Sequence, residues 1–585
     1  MSNLKLVTDH SSLFNMLYQL WKFLGRRRKI QLLLLLIMMI LASFAEVLSL
    51  GAVIPFLGVI ASPESLFNMP LAQPFIKFFD ITEQNQLLVT FGLIFVGCVL
   101  VSAIFRTILL RLSITISFRT GSELSIDAFR NIINQPYSDH LNQNTSELIS
   151  VMGPKLNNAI SVINNVLIFV SSVLITIGIL SILLSLEPLI TIILLSVFSI
   201  IYILMTFFFR SRLIYNSKRA AELGPLVIKT LQEALGGIRN IILDTSHKEF
   251  VDIYKKDDVS FRAAQANTTF ISNSPRPILE ALAIVLIVLL AYVFSLQPGG
   301  IQGSIPILGF MALGAQRLLP NLQQSYAAWS YIKGEQRSLQ DVLEILAKSK
   351  SFKGNRAFDK KIIFQEKIHL KGLSFRYSEG LPYVLRDFEL EIKRGSWLGI
   401  IGETGSGKST LIDIIAGLLK PSVGGLYVDG DLVGKDVSVE DWQTHIAHVP
   451  QVIFLSDASI SCNIAFGIHP DEIDHDLVKK SAEIAQLAET IDEFPNGYQT
   501  VVGERGARIS GGQRQRIGIA RALYRKASVL ILDEATNALD SQKELKVIEA
   551  LKNLDHDITV IMIAHRLSTL ENCNNIIDIR SNSIS

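Results

Sequence analysis

Long apolar runs fill the first half of the chain, and only short ones occur in the second half. Six of the long runs could cross a hydrocarbon core of ~30 Å, which takes about 20 apolar residues. They cover residues 31–58, 87–110, 161–186, 188–209, 277–295 and 304–325. This pattern predicts an α-helical membrane domain of six spanning helices.

The polar segments between these runs predict how the chain crosses the membrane. Four basic residues at positions 26–29 precede the first run and place the N-terminus in the cytoplasm by the positive-inside rule. The long polar connections 111–159 and 210–276 then lie on the cytoplasmic side, and their helical composition predicts that the membrane helices extend beyond the bilayer. The connection 62–86 alternates apolar and polar residues, which fits a short amphipathic helix on the outer surface or a plain loop.

After position 335 the hydrophobic pattern changes. Short strand-like runs, such as 368–376 and Trp397–Ile401, alternate with helical stretches and turn residues. This alternation is typical of an α/β domain. The sequence therefore predicts a transmembrane domain over 1–335, a linker over 336–365 with its most polar part from 348 onward, and an α/β domain over 366–585.

Composition and charge exclude several classes of protein. With 585 residues, 49% of them hydrophobic, and a mean hydropathy of +0.37, the chain does not have the composition of a wholly soluble protein. The chain has a net charge of +2 and so lacks the strong excess of basic residues that is typical of nucleic-acid-binding proteins. No nucleic-acid partner is therefore predicted. The cysteines are widely spaced packing thiols, not a metal or redox site: Cys98, Cys462 and Cys573. The apolar run 30–61 exceeds the length of a cleaved signal peptide.

A phosphate-binding loop lies between the strand-like run Trp397–Ile401 and a helix that should begin near Lys408. It consists of Gly402, Glu403, Thr404, Gly405, Ser406, Gly407, Lys408 and Ser409. The glycines let backbone N–H groups close on phosphate, Lys408 neutralises the outer phosphates, and Ser409 offers a hydroxyl to Mg²⁺. Together with the adjacent Thr410, this P-loop predicts that the domain binds ATP and Mg²⁺.

A second acidic element follows on the apolar run Val529–Asp533. Asp533 is placed to hold Mg²⁺ through water, and Glu534 can polarise the attacking water as a general base. An apolar run that ends in Asp-Glu is common by itself. In a domain that also has a P-loop, it predicts an ATPase with Glu534 as a catalytic residue.

Between these two elements lies a segment that resembles the signature of the ABC transporter family. It reads Ile509, Ser510, Gly511, Gly512 and Gln513, with isoleucine where the family usually has leucine. The resemblance covers essentially the whole chain. It implies that the chain is an exporter-type half-transporter, with six membrane helices fused to an ABC ATPase domain.

Further positions match the family in order and spacing. Tyr377 resembles the aromatic residue that stacks on adenine, and Gln451 the Q-loop glutamine that also reaches Mg²⁺. Residues 537–540 resemble the D-loop, residues 503–506 the X-loop of exporters, and His565 the catalytic switch histidine. Taken singly, Tyr377 could be an ordinary strand aromatic, Gln451 a surface amide and His565 a core histidine. Their order around a P-loop favours the family roles.

The resemblance also implies how the domain works. In the family, the signature residues Ser510, Gly511, Gly512 and Gln513 of one subunit cover the ATP bound to the P-loop of the other. A chain with one such domain is therefore expected to form a dimer. A homodimer would have two complete sites, and a heterodimer with another half-transporter also fits the sequence. Short transverse helices around 135–147 and 224–232 are expected to couple the two domains.

Charged residues inside the predicted spans point to the cargo. Arg106, Arg276 and Arg317 lie within or at the ends of spans 2, 5 and 6, with Glu46 in span 1 and Glu280 in span 5. Such residues usually line a cavity or pair with one another. At ~1.5 Å per residue the three arginines fall in the inner half of the bilayer. We expect them to bind an anionic, diphosphate-bearing lipid head group, although Arg106 could also snorkel and Arg276 pair with Glu280.

Two segments narrow the cargo further. Residues 46–57 and 314–334 resemble PglK-type flippases of lipid-linked oligosaccharides and related saccharide exporters. The resemblance implies ATP-driven flipping of a polyprenyl-diphosphate glycan across a bacterial inner membrane, with the ATPase domain in the cytoplasm. A lipid A-type glycolipid, a peptide or a drug are the alternatives. A soluble ABC ATPase would lack the six spans, and an importer would normally carry its ATPase on a separate chain.

Overall fold

The computed structural model describes residues 13–61, 84–295, 300–352, 361–535, 541–553, 557–564, 570–579 and 583–584. The chain divides into two compact units. The first comprises Met1–Gln135 and Asn142–Gly354, and the second comprises Pro136–Leu141 and Asn355–Ser585.

The first unit is helical, because its long leucine- and isoleucine-rich runs can satisfy their backbone polar groups only within a helix when they cross a bilayer. Its described helices are α1 (Leu13–Phe23), α2 (Arg26–Gly51), α3 (Val53–Ala61), α4 (Gln84–Ile133), α6 (Thr145–Ser150), α7 (Leu156–Leu186), α8 (Pro188–Gly236), α9 (Ile238–Leu243), α10 (His247–Asn273), α11 (Pro275–Ser295), α12 (Gly300–Gly334) and α13 (Gln336–Phe352). Helix α5 (Tyr137–Asn142) belongs almost wholly to the second unit.

Among the described residues, five helical stretches are long and apolar enough to cross a membrane. They are Arg26–Ile60, Gln86–Ile133, Thr145–Leu186, Pro188–Gly236 and His247–Val293. The sixth predicted span, 304–325, lies inside α12, a helix of 35 residues whose apolar character is interrupted by Arg317 and several amides. The five stretches and α12 together match the predicted number of spanning helices.

The helices α4 and α8 have 50 and 49 residues. At ~1.5 Å per residue each is roughly twice as long as a bilayer core is thick. The predicted extension of the membrane helices beyond their apolar runs is confirmed. In the extended part, α1, α4, α7, α12 and α13 share one apolar core that includes Leu124, Val162, Ile332 and Leu339.

The two predicted coupling segments have different outcomes. Segment 135–147 contains the short helix α5, and Pro136–Leu141, which include most of that helix, group with the second unit. Segment 224–232 was expected to form a short transverse helix, and that prediction was wrong because α8 continues through Pro225 to Gly236. A proline inside a helix removes one hydrogen bond but need not end the helix when its neighbours pack well. The short helix that follows is α9, after Gly237.

The region 336–365, predicted to be a linker, is not a loop throughout. Residues 336–352 form α13, and Leu339, Val342 and Leu343 are buried in the core of the first unit. The division between the units falls after Gly354. Arg337 of α13 is exposed, so its polar composition reflects an amphipathic helix.

The second unit contains two sheets. Its strands are β1 (Lys367–Phe375), β2 (Leu385–Lys393), β3 (Trp397–Ile401), β4 (Val423–Val428), β5 (Asp431–Leu432), β6 (Ile446–Val449), β7 (Val529–Asp533), β8 (Thr559–Ile563), β9 (Asn575–Asp578) and β10 (Ser583–Ile584). One sheet is antiparallel with the order β2-β1-β4-β5. The other has the order β10-β9-β3-β8-β7-β6 and is parallel except at β10.

Helices cover these sheets. The described ones are α14 (Lys408–Ile415), α15 (Val439–Thr444), α16 (Ile460–Ile464), α17 (His475–Ile484), α18 (Ala488–Asp492), α19 (Gly511–Tyr524) and α20 (Ser541–Lys552). Strands β3 and β7 both pair with β8 in parallel, so their carboxyl ends open at the same edge of the sheet. That edge is where parallel α/β sheets place ligands, and it carries both predicted phosphate-site elements.

Candidate functional site

The predicted P-loop connects β3 to α14 as expected, and its backbone requires glycine. Gly407 has a φ of 98° and caps α14, a left-handed conformation that side chains disfavour. A Cβ atom at Gly402 would lie 2.7 Å from the Ser406 hydroxyl, which is closer than real contacts allow. The loop therefore closes tightly around the N-terminus of α14, where backbone N–H groups attract anions.

The side chains of this loop fit a nucleotide phosphate chain. The Lys408 ammonium group donates to the backbone oxygens of Gly402 at 2.6 Å and Glu403 at 2.9 Å, so it lies across the mouth of the loop. The Ser406 hydroxyl is buried and has no hydrogen-bond partner among the described residues. A buried donor without a partner is costly unless a ligand satisfies it. Phosphate oxygens would accept hydrogen bonds from both the Ser406 hydroxyl and the Lys408 ammonium group.

Tyr377 follows β1 and lies beside the start of α14. Its hydroxyl is 3.0 Å from that of Thr410, and its ring meets Phe375 edge-on. About half of Tyr377 is exposed, at 48%, whereas Thr410 is buried. The exposed ring face can stack on a base. The Thr410 hydroxyl holds the tyrosine in position, and its predicted contact with the nucleotide stays a prediction.

The acidic element lies at the end of β7 as predicted. Glu534 has a φ of 50°, a left-handed value that is rare for a residue other than glycine, and such strain concentrates at functional sites. Its carboxylate accepts a hydrogen bond of 2.7 Å from the side-chain amide of Gln451. Gln451 and Glu534 are thus brought together across the edge of the sheet, at the place where an attacking water is expected.

The donor set at this edge suits Mg²⁺ bound partly by phosphate. Burial and the Glu534 charge raise the pKa of Asp533, and the Lys408 ammonium group opposes that shift. Among the described residues there is no group of three carboxylate, histidine or cysteine side chains that could hold a metal alone. Mg²⁺ commonly uses one or two carboxylates, waters and substrate phosphates. Asp533, Ser409 and Gln451 fit that role.

The signature residues start helix α19 with a capping box. The Ser510 hydroxyl accepts a hydrogen bond from the Gln513 backbone N–H at 3.2 Å, and the Gln513 side chain accepts one from the Ser510 N–H at 2.7 Å. These two bonds satisfy donors that a helix start leaves unpaired. The N–H groups of Gly511 and Gly512 lie in the first turn of this helix. The Gln513 side-chain oxygen takes part in the cap, and the predicted contact of Gln513 with nucleotide stays a prediction.

Several predicted features lie outside the described residues. These are His565, residues 537–540 and most of the outer connection, 62–83. The predicted X-loop is described, and its residues Glu504–Gly506 form a single 3₁₀ turn. Arg505 in that turn has a φ of 51°.

A charge cluster lies within the membrane unit. The Glu46 carboxylate of α2 is 2.8 Å from the Arg317 guanidinium of α12 and 3.6 Å from that of Arg106 of α4. Ser102 donates a hydrogen bond to the same carboxylate, and Arg317 donates one of 2.5 Å to Ser49. Three helices are therefore joined by one ionic network around the buried Glu46, and Arg106 is part of it.

The two arginines border a cavity of about 480 Å³. Its other lining residues are Phe95, Val96, Val99, Leu100, Leu313, Gln316 and Pro320. Arg276 is not part of this cluster. It pairs with Glu280 at 2.9 Å, one turn along α11, and lines a separate cavity of about 230 Å³.

The ion pairs fix the position of this cluster along α2. Arg28 of α2 pairs with Glu123 of α4 at 2.8 Å, so the two helices run antiparallel and in register as far as Glu46. From position 28 to position 46 the helix rises ~27 Å. That Arg106 and Arg317 lie in the inner half of the bilayer stays a prediction.

Two family matches cover most of this architecture. The ABC transporter transmembrane region family matches residues 30–310, and the ABC transporter family, which describes the ATP-binding domain, matches residues 385–537. The chain belongs to the ABC transporters. The family match implies ATP binding at the P-loop edge, and it confirms a helical transmembrane domain fused to an α/β ATPase domain.

Known ABC transporters resemble parts of this chain. A protein of Ralstonia nicotianae named ATP-dependent lipid A-core flippase is 40% identical over 211 residues, 36% of each chain. ABC transporter B family member 29, chloroplastic, of Arabidopsis thaliana is 44% identical over 203 residues, 35% of this chain and 32% of that protein. The matched region therefore spans about a third of these relatives. A bacterial Atm1-family ABC exporter with ATP bound has a TM-score of 0.74 at 20% identity, covering 94% and 93% of the two chains, which shows a shared exporter fold.

Some features of this ABC transporter were missed from its sequence. The capping box has a sequence signal, serine followed three residues later by glutamine, that was available at Ser510 and Gln513. The second missed feature is Asp413 on α14, which lies near Asp533, and no sequence motif marks it. Burial and the Asp533 charge raise its pKa to about 6. The convergence of Arg106 and Arg317 on Glu46 depends on tertiary packing and has no local signal.

Proposed function

We propose that this chain is one half of an ATP-driven exporter and works as a dimer. Each chain has one P-loop and one signature helix, and in the family the two act on the same nucleotide only across a pair of subunits. The P-loop, Gln451 and Glu534 are all in place at one sheet edge, which supports a homodimer with two competent sites. A heterodimer would pair this complete set with another half-transporter.

The nucleotide site would work through groups that the fold holds ready. ATP supplies the phosphate anhydride whose hydrolysis drives the cycle, and Mg²⁺ neutralises its charge. Lys408 and the P-loop N–H groups would hold the phosphates, and Asp533 with Ser409 and Gln451 would hold the metal. Glu534 would accept the proton of the attacking water, oriented by its contact with Gln451. Tyr377 would stack on the adenine, and His565 would complete the catalytic set.

The observation that carries the cargo assignment is the pair Arg106 and Arg317 at an otherwise largely apolar cavity in the membrane unit. Arginine forks bind phosphate oxygens in two-point contacts, and apolar walls suit a lipid chain. We therefore propose an amphipathic, phosphate-bearing glycolipid as the cargo, and within that class a polyprenyl-diphosphate-linked saccharide. The exposed pair of Arg276 and Glu280 is assigned a lesser role.

A second cargo is favoured by a different observation. Several relatives that are 38–41% identical over about a third of their length bear the name lipid A-core flippase. Lipid A-type glycolipids also combine phosphate, sugar and acyl chains, so the same arginines would suit them. Both cargoes would place the protein in a bacterial inner membrane, with the ATPase domain in the cytoplasm.

The test is the ATPase rate of the full-length protein in lipid nanodiscs. Polyprenyl-diphosphate oligosaccharide, lipid A and an uncharged polyprenol are compared, each with the wild type and with Glu534→Gln. Stimulation by the first lipid alone supports the proposed cargo, and stimulation by lipid A alone supports the second. If the uncharged polyprenol stimulates the ATPase as strongly as the phosphate-bearing lipids do, a site that recognises phosphate is contradicted. A response that persists in Glu534→Gln would contradict the catalytic assignment.

A further inference from the structure

Both arginines of the membrane cavity contact the same carboxylate. Glu46 lies within ion-pair distance of each, yet only 1% of its side chain is exposed, compared with 22% for Arg317 and 47% for Arg106. The arginines line the cavity and Glu46 does not. The carboxylate therefore neutralises the cavity arginines from behind the cavity wall.

The charges of this cluster do not balance. Two guanidinium groups meet one carboxylate, which leaves one positive charge in excess. The two arginines carry up to ten N–H donors, and those that point to the cavity remain open to an anion. In a membrane interior such an excess charge is costly and attracts a counter-ion strongly. An anion with two or more charges, such as a diphosphate, can satisfy both arginines better than one shared carboxylate can.

Glu46 also connects helices. It lies on α2, Arg106 and Ser102 lie on α4, and Arg317 lies on α12. If the arginines turn toward an anion in the cavity, the Glu46 carboxylate loses its counter-ions while still buried. A buried carboxylate left with only the Ser102 hydroxyl as a donor is destabilising, because a hydroxyl does not neutralise its charge. Cargo binding should therefore weaken the attachment of α2 to α12.

We propose that Glu46 is an internal counter-ion that competes with the cargo phosphate for Arg106 and Arg317, and that its displacement weakens the attachment of α2 to α12 when cargo binds. This inference rests on the proposed anionic cargo. Glu46 is a positioning residue, because it acts through the arginines and does not itself line the cavity. It positions the arginines before cargo binds. Through Glu46, binding of cargo in the cavity changes the contact between two membrane helices.

The experiment uses Glu46→Gln in the full-length protein in nanodiscs, with unglycosylated polyprenyl diphosphate as the probe. Without its competitor the probe should bind more tightly, so its KM for ATPase stimulation should fall about fivefold or more. Without an attachment to weaken, maximal stimulation should also fall. Glu46→Asp, which keeps the charge, should restore both values toward those of the wild type.

The matched control is Glu123→Gln. Glu123 pairs with Arg28 at 2.8 Å and also joins α2 to α4, but away from the cavity. It should alter thermal stability without changing the KM for the probe. An unchanged KM in Glu46→Gln, with the wild type stimulated, would overturn the counter-ion role and leave the cargo class standing. A wild type that responds to neither polyprenyl diphosphate nor lipid A would overturn the cargo class and the counter-ion role together.

Discussion

The nucleotide-binding unit and the membrane unit both present positive charge that suits phosphate, but they assemble it differently. In the second unit, Lys408 and the surrounding N–H groups come from consecutive residues between β3 and α14. In the first unit, Arg106 and Arg317 come from helices far apart in the chain and converge on Glu46 of a third helix. The first arrangement is fixed by local backbone geometry, and the second by tertiary packing.

This difference has consequences for how each site tolerates change. The P-loop is held by a short strand, a helix N-terminus and glycines with positive φ, so a single substitution acts directly on the chemistry. The membrane cluster depends on the relative positions of α2, α4 and α12, so it can respond when the helices move. A rigid site suits a reaction that is the same in every cycle, and an adjustable one suits a cargo that must bind and leave.

The largest effect is expected from Glu534→Gln. Glutamine keeps the size of the side chain and can still contact Gln451, but it cannot accept a proton. ATP hydrolysis should fall about 100-fold or more, while ATP binding is retained. Steady-state ATPase assays and nucleotide-binding measurements check both parts. The exposed Glu493→Gln is the control, and a mutant that keeps most of its activity would show that another group acts as the base.

A smaller but selective effect is expected from Arg317→Ala. The variant leaves the buried Glu46 with only the more distant Arg106, and it removes one of two phosphate contacts from the cavity. The KM for cargo stimulation should rise about tenfold, with the basal ATPase rate unchanged. Cargo titration in nanodiscs measures both.

The control for that prediction is Arg276→Ala. Arg276 is 68% exposed and pairs with Glu280, so its loss should change the cargo KM by less than about twofold. If Arg317→Ala and Arg276→Ala change the cargo KM equally, the clustered arginine contributes no more to cargo binding than the exposed one. Equal effects would then favour a general electrostatic attraction of the cargo.

The sequence predicts the nucleotide unit well because its determinants are local. The strand before the P-loop, Trp397–Ile401, and the helix start at Lys408 both occur where the glycine pattern places them. The extended membrane helices follow from their apolar runs for the same reason. Roles that depend on a second subunit remain predictions.

Elsewhere local signals were ambiguous or absent. Gly224 and Pro225 read as a helix break, yet α8 passes through them because its neighbours hold it. The polar residues of 336–352 read as a linker, although their apolar face packs into a core. The position of Arg317 beside Glu46 depends on how α2 and α12 pack, and the hydrophobic pattern along the chain does not predict that packing.

A moderate effect on stability is expected from Gln513→Ala. The substitution removes half of the capping box at the start of α19 and leaves the Ser510 N–H without its partner. The ATPase unit should lose about 1 kcal/mol of folding stability. Thermal unfolding measures this, and Gln513→Glu, which can form the same cap, should recover most of it. The exposed Gln499→Ala is the control. Full stability in Gln513→Ala would show that the cap contributes little.

The smallest effect is expected from the titration of His448 on β6. Burial lowers the pKa of this histidine from its ordinary value of 6.5, and its Nε2 atom has no hydrogen-bond partner among the described residues. The fold therefore favours the neutral ring, and that contribution is present above pH 6.5 and lost as the pH falls through the lowered pKa. When the pH is lowered from about 7.5 to about 5, the Tm of the wild-type ATPase unit should fall by a few degrees more than the Tm of the His448→Gln variant falls. The exposed His475→Gln should follow the wild type. Parallel curves for all three would show that the acid sensitivity of this unit comes from other groups.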